Sequence, residues 1–167
     1  MRQIALCLLL LTVLTACSTT TVYVVRHAEK VSETDSTDLN PVGFRRAAAL
    51  ADKLGNEPID SIFTTPYRRT RQTAEPLAKR LSVPVRDYPA KPTSTITERV
   101  KAIRGKTVLV VGHSNTILEI VKGLDAQPSL TKIGSDDFDN LFRVRIKRKP
   151  FGTSVKLTEL TYGEPTK

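Results

Sequence analysis

The chain has 167 residues, enough for one domain with a sizeable core. Its 26 Lys and Arg against 17 Asp and Glu leave a formal net charge of +9, which suits anionic ligands or surfaces. No Lys/Arg run is interleaved with aromatics, so a nucleic-acid partner is not expected. Two cysteines, Cys7 and Cys17, exclude a disulfide-rich scaffold.

Met1-Arg2-Gln3 is a short basic start, residues 4–14 are almost unbroken apolar, and Leu14-Thr15-Ala16-Cys17 follows as a cleavage site. The apolar run is shorter than the roughly 20 residues a membrane span takes. Leu-Thr-Ala-Cys resembles the bacterial lipobox, in which the Cys becomes the lipidated first residue. The expected organisation is a lipoprotein-type signal peptide over 1–16, a lipid anchor at Cys17 with a tether to residue 21, and one domain over 22–167. Ser18 after the Cys, by resemblance to Gram-negative lipoproteins, favours the outer membrane of a bacterial envelope, facing the periplasm. Oligomeric state is not specified.

A strand is expected over 22–26, apolar on both faces as in a central strand. A polar loop follows to residue 39. Asn40-Pro41 reads as N-cap and first helical residue, and Phe44, Ala47, Ala48, Ala51 and Leu54 repeat at helical spacing. A short strand is expected over 61–64. Thr65-Pro66 starts a second helix with Arg68, Arg69 and Arg71 in its first turns, and Pro76 predicts a kink or restart. A strand over 83–87, a helix from a capping-box pattern at Thr95 to Glu98, and a strand over 107–112 come next. A helix then runs to about residue 124, and two strands close the chain near 141–147 and 154–161. Arg143, Arg145 and Lys147 alternate with Phe142, Val144 and Ile146, which reads as one wet strand face whose charges discourage edge pairing. Strand–helix alternation implies an α/β fold: a three-layer α/β/α sandwich with a mainly parallel central sheet.

The chain has only two histidines, His27 and His113, each directly after an apolar strand. Right-handed crossovers bring such strand exits to one edge, where ligands of these sheets bind. Arg26 precedes His27, Arg68, Arg69 and Arg71 open a helix, and Ser114 and Asn115 lie at another helix start. Two histidines, several arginines and helix N-termini suit a tetrahedral oxyanion such as phosphate. Surrounding positive charge keeps an imidazole neutral, and a neutral imidazole is a competent nucleophile toward phosphorus. Glu29 and Lys30 read as solvated.

At these residues the chain resembles the histidine phosphatase superfamily, which includes the phosphoglycerate mutases. Val24-Val25-Arg26-His27-Ala28-Glu29-Lys30 looks like its Arg-His signature. The run Thr65-Pro66-Tyr67-Arg68-Arg69-Thr70-Arg71-Gln72-Thr73-Ala74 is similar to its second motif, and Val110-Val111-Gly112-His113-Ser114-Asn115 to its third. Asn40-Pro41-x-Gly43 fits the helix start between the first two. The resemblance implies a phosphoglycerate mutase-like fold and a phosphatase that needs no cofactor or metal. His27 would be the nucleophile that becomes a phosphohistidine. Arg26 and Arg69 would bind the phosphoryl oxygens with His113, assisted by backbone amides near Ser114 and Asn115.

Two positions depart from the family pattern. Glu33 stands where many members carry an Asn, and no acid occupies either usual proton-donor position. Asp87 is the nearest candidate donor, with a strand-end surface Asp as the equal alternative. The expected partner is a small anionic phosphorylated substrate, beside the membrane that holds the lipid. The alternative is an envelope lipoprotein that binds phosphate or sugar phosphate with little catalysis. Mutase activity is not expected, because the chain lacks room for the insertions that close over a mutase substrate.

Overall fold

The computed structural model describes residues 17–166; the expected signal peptide over 1–16 lies outside the described residues. Six strands form one sheet in the order β3-β2-β4-β1-β5-β6. They are β1 (Ser18–Arg26), β2 (Ile59–Thr64), β3 (Val85–Asp87), β4 (Thr107–Gly112), β5 (Asn140–Lys149) and β6 (Gly152–Thr161). The first four run parallel; β5 is antiparallel to β1, and β6 to β5. The helices are α1 (Pro41–Leu54), α2 (Arg68–Leu81), α3 (Ser94–Ala102) and α4 (Ile117–Gly123).

Alternation along the central strands divides the core in two. Val22, Val24, Val108 and Val110 pack with Ile96, Val100, Ile117 and Ile120 of α3 and α4. Tyr23, Val25, Leu109 and Val111 pack with Leu50, Leu54, Ala74 and Leu77 of α1 and α2. This is the three-layer arrangement expected from the continuous apolar runs, each fully buried Val or Leu contributing about 1.5–3 kcal/mol.

Several elements differ from the sequence reading, each for a physical reason. Residues 18–21, expected as a tether, are the first residues of β1, with Ser18 opposite Arg148 and Thr20 opposite Ile146. Three β-branched threonines favour strand, and Thr20 is buried with its hydroxyl donating to the Ile103 carbonyl at 2.9 Å. The domain therefore begins directly after Cys17. On α1, Phe44 is half exposed, and its apolar stripe is replaced by Gly43, Arg46, Ala47, Leu50, Ala51 and Leu54. A buried Arg is tolerated because Arg46 Nε donates to both Glu29 carboxylate oxygens at 2.9 and 3.0 Å. Its Nη1 donates to the carbonyls of Tyr162 and Glu164. Glu29, read as solvated, thus anchors the turn after His27 to α1.

The helix α2 starts at Arg68, after Tyr67 rather than at Thr65-Pro66, and runs through Pro76 without a break. Burial of Thr73, Ala74, Leu77 and Ala78 on either side of the proline holds the helix against the lost backbone bond. The strand β5 is not an edge; it lies between β1 and β6, so its charges face outward instead of guarding an edge.

The Asn40-Pro41-x-Gly43 pattern has a structural cause. Asn40 accepts from Gly43 N at 2.9 Å, while its own N–H donates to the Glu29 carbonyl at 3.0 Å. A Cβ on Gly43 would sit 2.1 Å from that same carbonyl oxygen. Gly43→Ala is therefore expected to destabilise the fold by about 2–3 kcal/mol, the range of an overpacked core site. A urea unfolding curve checks it; an unchanged midpoint would contradict the close approach.

Candidate active site

Parallel pairing of β1 with β4 sets Arg26 opposite Gly112, and His27 N donates to the Gly112 carbonyl at 2.9 Å. The two strand exits thus deliver His27 and His113 side by side, with ring centroids 5.4 Å apart in an edge-on arrangement. Both rings are buried. Together with Arg26, Arg69, Ser114 and Asn115 they line one cavity of about 750 Å³. Three loops supply its walls: Glu33 and Asp35 from residues 31–39, Lys91 from residues 89–94 and Ser135 from residues 129–139.

His27 Nδ1 lies 2.8 Å from the Ala28 carbonyl oxygen and must donate to it. The proton is thereby held on Nδ1, leaving the lone pair on Nε2. Ala28 is fixed in turn: its N–H donates to Thr73 Oγ1 at 2.9 Å, and that hydroxyl donates to the Arg69 carbonyl at 2.7 Å. One turn of α2 thus holds both the His27 loop and Arg69.

A hydroxyl relay orients His113. Thr70 Oγ1 donates to the backbone carbonyls of Thr65 and Tyr67, and Thr65 Oγ1 lies 2.9 Å from Thr70 Oγ1. Thr65 is then left to accept from His113 Nε2, 2.9 Å away. Tyr67 packs edge-on against the same ring, at 5.2 Å between centroids.

The guanidinium of Arg26 lies 3.9 Å over the Phe138 ring, and its Nη1 donates to the carbonyls of Gly134 and Asp137 at 2.8 and 2.9 Å. Arg69 lies 4.5 Å over Tyr67, and its Nη1 donates to the Asp35 carbonyl at 3.0 Å. The Nε of each arginine is buried and finds no acceptor among the described residues. Two guanidiniums with unused hydrogen-bonding capacity, lining the same cavity as the His27 ring, fit an oxyanion with several acceptor oxygens.

Burial pushes the His27 imidazole down to about 3; the Ala28 bond pulls the other way, and Arg26, His113 and Arg69 add to the fall. Burial, then Arg69 and Arg26, holds His113 down at about 4. Both rings are therefore neutral at pH 7, while in the unfolded chain they titrate near 6.5. Between about 6.5 and 4 the unfolded chain binds more protons than the folded one, so stability falls as pH falls through that window. Melting temperature is expected to be level above pH 7 and to drop toward pH 4, less steeply in His27→Asn. A melting temperature that rises on going from pH 7 to pH 5 would contradict a neutral pair.

Asp87, the candidate proton donor, does not line this cavity. It pairs with Arg71 on the flank of the sheet, in a separate hollow with Arg68 and Glu75. Arg71 draws it there from the neighbouring helix, with Nε 3.2 Å from Asp87 Oδ1. The acids at the cavity are Glu33, ion-paired with Lys30, and Asp35, 3.8 Å from Arg69 Nη2; both are largely exposed. Cys17 lies at the far end of β1, exposed. Sequence reasoning missed Thr65, Thr73, Tyr67 and Phe138 as supports of the site. The first three sit inside the second motif; Phe138 has no local signal, because it reaches Arg26 only through tertiary folding.

Residues 22–90 match the model of the histidine phosphatase superfamily (branch 1). Among solved structures, a provisionally named phosphohistidine phosphatase SixA from Nakamurella multipartitia is similar at TM-score 0.62 and 23% identity, over 88% of this chain and 96% of that one. A mycobacterial glucosyl-3-phosphoglycerate phosphatase bound to VO3 is similar at TM-score 0.66 and 15% identity, over 86% of this chain and 99% of that one. A curated aspartate carbamoyltransferase catalytic subunit from Prochlorococcus marinus subsp. pastoris is 36% identical over 104 residues, 57% of this chain; the chain spans only 30% of that relative's length. Residues 22–90 thus match the histidine phosphatase superfamily (branch 1) model, and the whole described chain shares the fold of these solved structures.

Proposed function

We propose that the chain is a phosphatase that hydrolyses a phosphomonoester or phosphoramidate through a phosphohistidine on His27. The observation that carries this reading is the His27 ring: buried, neutral and tautomerically fixed so that Nε2 keeps its lone pair, in a cavity that Arg26 and Arg69 also line. Nε2 attacks phosphorus as the bond to the leaving group breaks. Arg26 and Arg69 stabilise the phosphoryl oxygens, and His113, taking up the proton of a monoanionic phosphoryl group on the nitrogen that Thr65 does not engage, donates from that nitrogen to the phosphoryl oxygen. Water then attacks the phosphohistidine, releasing phosphate and the imidazole. Phosphoryl transfer asks mainly for positioning and charge stabilisation, which these four residues supply. The names of the structural relatives point to phosphohistidine and glucosyl-3-phosphoglycerate as substrates of those proteins; either phosphoryl chemistry suits a cavity lined by Lys30, Lys91, Arg26 and Arg69.

Among the described residues the cavity's carboxylates, Glu33 and Asp35, are largely exposed, so protonation of the leaving group is expected to be weak. General acid catalysis contributes roughly 10²- to 10⁴-fold. Turnover of an aryl phosphate should therefore exceed that of an alkyl phosphate by at least about 10²-fold. Steady-state kinetics on the two substrates checks this. Equal rates would mean that Glu33 or Asp35 swings in as an acid, and no hydrolysis of either would favour the phosphate-binding reading.

With acylation at Cys17, the nine residues of β1 separate the lipid from the catalytic end by ~27 Å. The cavity would face away from the anchoring membrane, toward soluble substrates of the periplasm.

A further inference from the structure

The end of the sheet opposite the cavity carries charge and apolar surface that catalysis does not use. The strands β5 and β6 form a ribbon whose tip is Pro150-Phe151. Phe151 is fully exposed there. Phe142, Val144 and Ile146 point into the core, so Arg145, Lys147 and Lys149 point to the opposite face. Across the ribbon, Arg145 stands opposite Lys156, Lys147 opposite Ser154 and Lys149 opposite Gly152, so β5 and β6 themselves supply no acid at these positions; Glu57 lies further along the same face, beside Tyr23 and Arg143. Arg145, Lys147, Lys149 and Lys156 are all exposed, and none makes an ion pair among the described residues.

A solvated face ordinarily mixes both signs of charge. Here Arg145 is set directly opposite Lys156, which costs stability, and Lys147 and Lys149 follow on the same face. An anionic surface would offset that repulsion. The strip bears no aromatic on which bases could stack; the aromatic stands alone at the tip, where a side chain can enter a lipid headgroup layer. Cys17 lines a hollow beside Lys149 and Phe151 at this same end.

We propose that Phe151 and the basic strip of Arg145, Lys147, Lys149 and Lys156 form a docking surface for an anionic phospholipid bilayer. Phe151 enters the headgroup layer and the four cations lie on the anionic headgroups. A lipid on Cys17 would enter the same bilayer, so the two contacts together would fix the domain's orientation with its cavity outward. The docking surface itself requires neither the lipid nor the phosphatase reading.

A chain beginning at Ser18 keeps every described strand and helix and both cores, and a cooperative thermal melt establishes that it folds before it is used. Its co-sedimentation with vesicles of phosphatidylcholine, alone or mixed with phosphatidylglycerol, tests the proposal, with soluble heparin as a competitor. Binding is expected to the phosphatidylglycerol vesicles and not to phosphatidylcholine alone. It should weaken roughly a hundredfold in Lys147→Gln/Lys149→Gln/Lys156→Gln, at about one lipid-facing charge each, and roughly tenfold in Phe151→Ser. Thermal melting shows that both variants fold. Absence of binding to phosphatidylglycerol vesicles would overturn the proposal, as would affinity unchanged by the lysine variant. Full affinity in Phe151→Ser, or heparin held as tightly as the vesicles, would also overturn it, leaving a general polyanion strip instead.

Discussion

His27→Ala is expected to lower kcat on an aryl phosphate by about 10⁵- to 10⁶-fold, the scale seen when a covalent nucleophile is removed from a preorganised site. The substituted side chain is small and the site is held by other contacts. Arg26 stays on Phe138 and the Gly134 carbonyl, and His113 stays on Thr65. The fold should therefore survive, and phosphate binding with it. A residual activity within tenfold of the parent would remove His27 as nucleophile. Loss of folding can be read separately by melting, so the two outcomes do not blur.

The second large effect is expected at the arginines. Arg26→Ala and Arg69→Ala should each reduce kcat/KM by about 10²- to 10³-fold, the scale of losing one preorganised donor to developing charge. Arg26→Ala should also lower stability, because its guanidinium ties the loop at Gly134 and Asp137 to the end of β1. Arg69 holds the Asp35 and Thr34 carbonyls of an exposed loop and lies over Tyr67 of its own helix start. Its loss should therefore show mainly in kinetics. Steady-state kinetics and melting on both variants separate the roles. Equal small losses in kcat/KM would mean that neither guanidinium reaches the phosphoryl oxygens.

How much of this was legible beforehand follows from what each feature depends on. The pairing of His27 with His113 was readable because parallel topology alone delivers both strand exits to one edge. The cluster of Arg26 and Arg69 around them was readable from motifs that sit at strand and helix ends. The β1 start was not readable, since Ser18 to Thr21 pairs with β5 through contacts 128 residues away in sequence, such as Arg148 to Thr20. The burial of Arg46 was hidden for the same reason. Only its partners, Glu29 and the carbonyls of Tyr162 and Glu164, make a charged residue tolerable on the inner face of α1. Asp87 was the nearest acid in sequence to where a proton donor would stand, yet Arg71 holds it on the flank of the sheet. Distance along the chain says little about which side of a strand end a side chain takes. Phe138 likewise becomes part of the site only when the loop before β5 folds back onto Arg26.

The covalent intermediate tests the central claim most directly. The chain is mixed with an aryl phosphate for less than one turnover and denatured in alkali, where a phosphohistidine survives. The mass of the peptide that spans His27 is then measured. The account predicts one added phosphoryl group on His27, absent in His27→Ala and discharged on longer incubation. Hydrolysis of the substrate with no phosphoryl group on His27 at any time would contradict it.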